Sequence, residues 1–405
     1  MEDLIRASLD HCVKCTICET ACPVAQVTPL FPGPKYEGPQ AERFRQPAGT
    51  ADGSVDYCSG CGICTQVCPQ GVKIAEINSR ARARYKDEKG VRVRDRIVAR
   101  PGLTGRLGTP VAPLANRVMA SGAARRLIER TVGIHHAAAV PSYAGHSFQR
   151  WARAHRRRTS PRLDGRSVVY FHGCSVNWFE PDLGRMVVAV LERNGVEVRM
   201  PRQGCCGLPL QSNGLFDDAR AALTRLARDL GAGGSGDPVV ASSTSCGLML
   251  KREGREILGL DDGGLTAMGE RTFDVCEYLL DLHRHGLLDT AFQPLPLTVL
   301  YHAACQQRGH GMGTPALDLL GLIPELRVVQ SDADCCGMAG TYGVKKEKYD
   351  IAIAVGERLF DQVREVGPDA VACDGETCRW QITEATGRAS LHPVALLFRA
   401  YGLEL

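Results

Sequence analysis

Eight cysteines fall in two runs of identical spacing, Cys12-x2-Cys15-x2-Cys18-x3-Cys22-Pro23 and Cys58-x2-Cys61-x2-Cys64-x3-Cys68-Pro69. Three thiolates from one tight loop cap three irons of a [4Fe-4S] cubane, and the fourth reaches across to the other cluster. That cross-over rule assigns Cys12, Cys15, Cys18 and Cys68 to one cluster and Cys58, Cys61, Cys64 and Cys22 to the other. The competing reading is zinc, but zinc ribbons offer two separated C-x2-C pairs without a third cysteine at the next step. A disulfide framework fits less well still. The chain opens MEDLIRASLDHC, without an apolar leader, so its eighteen cysteines read as ligands in a reducing compartment.

Other cysteines belong to a repeat. SVVYFHGC, ending at Cys174, matches LTVLYHAAC, ending at Cys305; Cys205-Cys206-Gly207 matches Cys335-Cys336-Gly337. DPVVASSTSC ends at Cys246 as DAVACDGETC ends at Cys378. Three signals in the same order at matching spacing mark a duplication. Each copy keeps four matched thiols, and Cys373 is a candidate fifth in the second. Cys276 matches nothing and reads as a core thiol. His172 and His302 precede their cysteines closely. Each could supply protons to a quinone, or donate to a cluster sulfur or a backbone carbonyl, which is the preferred reading. Lys345 and Lys346, after the second CCG, could offset the charge of a reduced cluster or stand solvated.

The elements that must position these thiols follow from the pattern around them. Short Val-rich runs alternate with helical stretches such as LGRMVVAVLERNG, which reads as a parallel sheet with helices on its faces. The thiols stand at the carboxyl ends of the strands, where ligands gather in such sheets. The reading is an α+β ferredoxin-like domain with two [4Fe-4S] clusters over residues 1–90, and a basic connector over 91–165. A duplicated α/β region with parallel sheets follows, divided at 166–290 and 291–405. Near the first lobe, GVKIAEINSRARARYKDEKG predicts a helix with Val72, Ile74 and Ile77 toward the clusters.

The net charge of +4 conceals segregation. Residues 80–166 hold 21 Lys plus Arg against 5 Asp plus Glu, a local charge of +16, which leaves −12 elsewhere. Such a stretch suits anionic lipid headgroups or an acidic partner, with nucleic acid remote for want of a recognition helix. Within 111–134, one helix with Leu114, Val118, Ile128 and Val132 as a stripe is predicted, interrupted by Arg125 and flanked by Arg117, Arg126 and Arg130. Downstream Tyr143, Phe148 and Trp151 suit an interfacial contact, and packing on the core or a partner is the alternative. The strongest basic run is Arg150 to Arg158. No stretch is long and apolar enough to span a bilayer.

Paired C...CCG...C regions behind two ferredoxin runs resemble the heterodisulfide-reductase-like iron-sulfur family, including the iron-sulfur subunits of glycolate, lactate and anaerobic glycerol-3-phosphate oxidation. The strings FPGPK, VKIAEINSRARARY, GCCGLPL, ASSTSC, CCGMAGTYGVKKE and GETCRWQI make the glycerol-3-phosphate branch the nearest likeness, almost end to end. The resemblance implies one or two further clusters, noncubane in some relatives, held by Cys174, Cys205, Cys206 and Cys246 and by Cys305, Cys335, Cys336 and Cys378 with Cys373. The family's closing C-x-x-C is absent: Met249 follows Cys246 in the first copy, and Gly375 precedes Cys378 in the second.

The chain carries no GxGxxG after a strand and no flavin or nicotinamide cradle. The resemblance therefore implies a non-catalytic electron-transfer subunit, fed by flavoprotein dehydrogenase subunits and emptying into membrane quinone, with menaquinone expected. It would lie peripherally on the cytoplasmic face of the cell membrane. The alternatives are a subunit of glycolate or lactate oxidation, and a disulfide reductase using an open iron site. Anaerobic iron and sulfide analysis is expected to give about eight irons from the two ferredoxin runs, and fewer than about four would exclude two clusters.

Overall fold

The computed structural model describes residues 4–45, 52–155, 165–231 and 236–405. Its centre is a pair of four-stranded parallel sheets. The first holds β1 (Ser167–Phe171), β2 (Glu197–Arg199), β3 (Val239–Ala241) and β4 (Thr272–Asp274) in the order β2-β1-β3-β4. The second repeats that order as β6-β5-β7-β8, from β5 (Thr298–Tyr301), β6 (Arg327–Gln330), β7 (Ala370–Ala372) and β8 (Ser390–Leu391). Register repeats too: Val169 pairs with Val239 as Leu300 pairs with Val371. Strands covered on both faces need apolar side chains throughout, and β1 is buried from Val168 to Phe171.

The copies exchange helices. The helix after β1, Pro181–Arg193, packs on the last helix of the second copy, Pro393–Ala400. Its counterpart Pro315–Leu320 packs on Val275–Arg284 of the first copy. Val187, Leu191, Leu279, Leu319 and Leu396 thus share one core across both copies. The chain divides near residue 290, but the core does not. Cys276 is fully buried in it.

The first ninety residues differ from the α+β expectation: no strand occurs among their described residues, only short helices and loops around the helix Ile74–Lys89. The cysteine loops curl too tightly to pair as strands. Lys14 and Thr16 take φ of 58° and 70°, matched by Gly60 and Gly62 at 72° and 81° in the second run. Left-handed backbone at both points turns successive thiols inward, and non-glycine residues adopt it at an energetic penalty. Val72, Ile74 and Ile77 pack with Cys18 and Cys64, as their spacing predicts.

The single helix expected over 111–134 breaks in two, Ala112–Ala120 and Gly122–Thr131. Ser121 is extended, and its hydroxyl accepts the Ala124 N–H, so it starts a new helix in place of continuing the old one. The predicted stripe divides accordingly: Leu114 and Val118 are exposed, while Ile128 and Val132 turn inward. Arg125 folds back onto the Ala138 carbonyl. The downstream aromatics are structural. Phe148 is fully buried in the main core, and Tyr143 lies over Gly108, where a Cβ would overlap its ring. Of the basic run, Arg156 to Arg158 lie outside the described residues.

A buried ionic network joins the cysteine-rich lobe, the connector and the second copy. Lys86 pairs with Asp56 at 3.1 Å and Asp95 at 3.6 Å, Lys345 with Asp95 at 3.3 Å, and Lys348 with Asp56 at 3.1 Å. Arg94 grips Asp95 at 3.0 Å and Glu347 at 2.7 Å. Lys345 is therefore interior, whereas Lys346 stays largely exposed. Burial pushes the Glu347 carboxyl up, but hydrogen bonding from Arg94 outweighs it and holds the group down at about 2. Its folded value lies below its unfolded one, so its stabilisation is present above about pH 4.3 and lost as pH falls toward 2. Glu347→Gln should lose about 1–3 kcal/mol at pH 7, and the difference from the native chain should shrink across that window in chemical denaturation.

Candidate metal centres

All eighteen cysteines are free. Cys22 of the first run lines one small cavity with Cys58, Cys61 and Cys64 of the second, together with Phe31 and Ile63. Cys12 and Cys68 pack with Cys18 on the other side. Cys15 completes that group beside Cys18 and is exposed. Burial pushes the Cys18 and Cys22 thiols up to about 11, so metal must displace protons to bind them.

The duplicated sites stand at the carboxyl ends of the strands, where chain order reverses on either side of β1 and of β5. Cys174 opens the turn after β1, Cys205 and Cys206 precede the helix Leu208–Ser212, and Cys246 lies in the helix Thr244–Leu248 after β3. Cys174 Sγ is 3.9 Å from Cys205 Sγ, and Cys206 Sγ is 3.3 Å from Cys246 Sγ. In the second copy Cys336 Sγ and Cys378 Sγ are 3.0 Å apart, with Cys335 against Cys305 and Cys373 against Cys378.

Each quartet already favours one thiolate. S–H donation from Cys174 and Cys206 holds Cys205 well below the ordinary thiol value, and Cys305 and Cys336 do the same for Cys335. Backbone adds to this: Gly207 N–H lies 3.5 Å from Cys205 Sγ, and Gly337 N–H lies 3.3 Å from Cys335 Sγ. Gly337 takes φ of 82°, and a Cβ there would strike the Ala352 carbonyl, so this approach requires glycine.

Orphaned polar atoms show that the donor set suits a cluster. Both ring nitrogens of buried His302, beside Cys335, lack a protein partner, as do Ser175 Oγ and Thr244 Oγ1 near Cys174 and Cys246. Cluster sulfurs accept such hydrogen bonds, and a bound cluster supplies reversible one-electron storage. His172 Nδ1 instead donates to the Gly173 carbonyl at 2.7 Å. Burial pulls both imidazoles down to about 4, so neither ring is charged near neutral pH.

Two contacts were not signalled by any spacing. Cys61 of the cysteine-rich lobe packs directly with Cys305, Cys335 and Ile63, and the Gln306 amide donates to the Gly60 carbonyl at 3.3 Å. The two duplicated sites are joined as well. Ser243 Oγ accepts the Cys246 N–H and donates to Glu376 at 2.9 Å, while His310 Nε2 lies 2.7 Å from the Thr244 carbonyl. Both sites border one cavity of about 500 Å3, walled on another side by Ile97, Met119, Ile128 and Val132 of the connector.

Sequence comparison matches residues 8–72 to the 4Fe-4S dicluster domain family, and residues 168–251 and 299–383 to the cysteine-rich CCG domain family. One subunit of the anaerobic glycerol-3-phosphate dehydrogenase of Escherichia coli strain K12 is 40% identical over 97% of this chain and 98% of its own length. One subunit of the fumarate reductase (CoM/CoB) of Methanothermobacter marburgensis is 28% identical over 58% of this chain and 45% of its own. Lactate utilization protein A of Geobacillus thermodenitrificans is 30% identical over 55% and 92%. Since protons compete for these raised thiols, metal loading should release protons and weaken as pH falls from 8 to 6. A pH-independent affinity in anaerobic titration would contradict this assignment.

Proposed function

Because the chain belongs to the family of that anaerobic glycerol-3-phosphate dehydrogenase subunit, we propose that it takes electrons from flavoprotein subunits that oxidise glycerol 3-phosphate and delivers them to membrane quinone. It is an iron-sulfur electron-transfer subunit with several clusters. The observation that carries the route is the packing of Cys61 on Cys305 and Cys335, which brings the dicluster lobe against the CCG pair without an intervening layer. The glycolate and lactate alternative rests on relatives that match only about half of this chain.

The connector supports a peripheral place on the membrane. Leu107, Leu114 and Leu127 are 66%, 66% and 62% exposed, and Leu103, Val111 and Val118 are exposed beside them. From Arg96 to Ile128 the chain has six arginines and no acidic residue. Leucines beside arginines suit insertion at the headgroup level of an anionic leaflet. No helix among the described residues is long and apolar enough to cross a bilayer.

Two measurements test this. Anaerobic purification from native cells should recover a flavoprotein with the chain, and glycerol 3-phosphate should then reduce a menaquinone analogue; reduction by lactate or glycolate alone would shift the assignment. Replacing Arg106, Arg117 and Arg126 by Gln should weaken binding to phosphatidylglycerol vesicles by about 1 kcal/mol per residue at low salt, with unchanged binding as the contrary result.

A further inference from the structure

The duplicated sites are not equivalent. All five thiols of the second, Cys305, Cys335, Cys336, Cys373 and Cys378, are buried, and Cys61 of the dicluster lobe seals one side of it. The first has four thiols, with Ala241 where the second has Cys373, and two of them, Cys174 and Cys205, are part-exposed. Near the first site, the lobe makes contacts remote from the thiols: Ser79 meets Gln211, and Arg82 meets the Ser212 carbonyl at 2.9 Å. The Cys61 contact on the second site has no counterpart on the first among the described residues. The link onward is the chain from Cys246 through Ser243 to Glu376, two residues before Cys378.

We infer that the two CCG sites work in series: the second relays electrons from the dicluster lobe, and the first is where the acceptor is reduced. This rests on the quinone-reducing role above and gives its two halves separate tasks. Burial suits a relay, because a thiolate-held cluster closed off from solvent exchanges electrons with its neighbour and not with adventitious oxidants. Exposure suits the terminal site, because a quinone must take up two electrons, one at a time, and two protons from water to become quinol. Those protons reach the first site from solvent past part-exposed Cys174 and Cys205, whereas every thiol of the second is buried. The connector-lined cavity borders Cys174, Cys206 and Cys246 as well as Cys305, Cys336 and Cys378, so an apolar ring could enter it beside both sites, and the part-exposure of Cys174 and Cys205 is what sets the first apart.

The test uses the complex reconstituted with its flavoprotein subunits, driven by glycerol 3-phosphate and followed by freeze-quench electron paramagnetic resonance. Signals lost in Cys246→Ser and in Cys336→Ser identify the first and second site. In the native complex the second-site signal should appear before the first; simultaneous or reversed appearance would overturn the series. In Cys336→Ser the dicluster signals should still form, which also reports folding, while the first site stays oxidised until dithionite reaches it directly. A first-site signal formed with substrate alone would refute the relay. In Cys246→Ser the second site should reduce while quinol formation stops, and continued quinol formation would refute the terminal assignment. Dicluster signals absent even in the native complex would instead count against electron supply from the flavoprotein, a distinguishable failure.

Discussion

The arrangement depends on five buried cationic side chains that meet three anionic ones in one joint, Asp95 buried and Asp56 and Glu347 half-buried. Lys86, Arg82, Arg94, Lys345 and Lys348 face Asp56, Asp95 and Glu347 where the dicluster lobe, the connector and the second CCG domain meet. Breaking one member of such a network leaves an uncompensated buried charge, so the three segments hold one relative position. The excess is positive, and it lies beside Cys58, whose carbonyl accepts from Arg82. A cubane held by four thiolates is anionic, more so when reduced, so the joint that fixes the lobe also balances the charge it carries. Burial pulls the Lys348 ammonium down to about 7 even beside Asp56, and the neighbouring Lys345 and Arg82 charges pull the same way.

Both duplications in the chain are maintained unevenly. In the dicluster lobe, Gly60 and Gly62 adopt left-handed backbone freely, whereas Lys14 and Thr16 are held in it by the loop around them. In the CCG pair, Tyr170 hydrogen-bonds Ser242 at 2.8 Å, and its counterpart Tyr301 bonds Asp374 at 2.9 Å. Asp374 lies close to Asp274 and Cys276, and burial pushes both carboxyls up, with repulsion from Asp374 adding to the rise at Asp274. The sheets and helix exchanges keep the twofold pattern, while the residues at the strand ends have diverged.

Legibility in the sequence followed the range of the interactions. Cysteine spacing is local chemistry, so the dicluster runs and the repeated CCG signals could be read directly. Parallel sheets followed from the alternation of short Val-rich runs with helical stretches, but their strand order did not. The break at Ser121 was hidden because an amphipathic stripe continues across it, and only the local capping bond distinguishes one helix from two. Lys345 could be read as facing a cluster or as solvated, but not as paired inside, because its partner Asp95 is some 250 positions earlier in the chain. The Gly60–Gln306 and Cys61–Cys335 contacts are of the same long-range kind, and no spacing rule reports them. Tyr143 and Phe148 looked interfacial because aromatic residues near arginines have the same composition in a core as at a bilayer.

The seal that Cys61 and Ile63 place over Cys305 and Cys335 bears on how the second CCG site is shielded. Cys305, Cys336 and Cys378 border the shared cavity on another side, so the docked lobe closes one approach to that site and the connector stands over the other. Whatever is held there is shielded by two separate segments of the chain, and its exposure rises when either one moves.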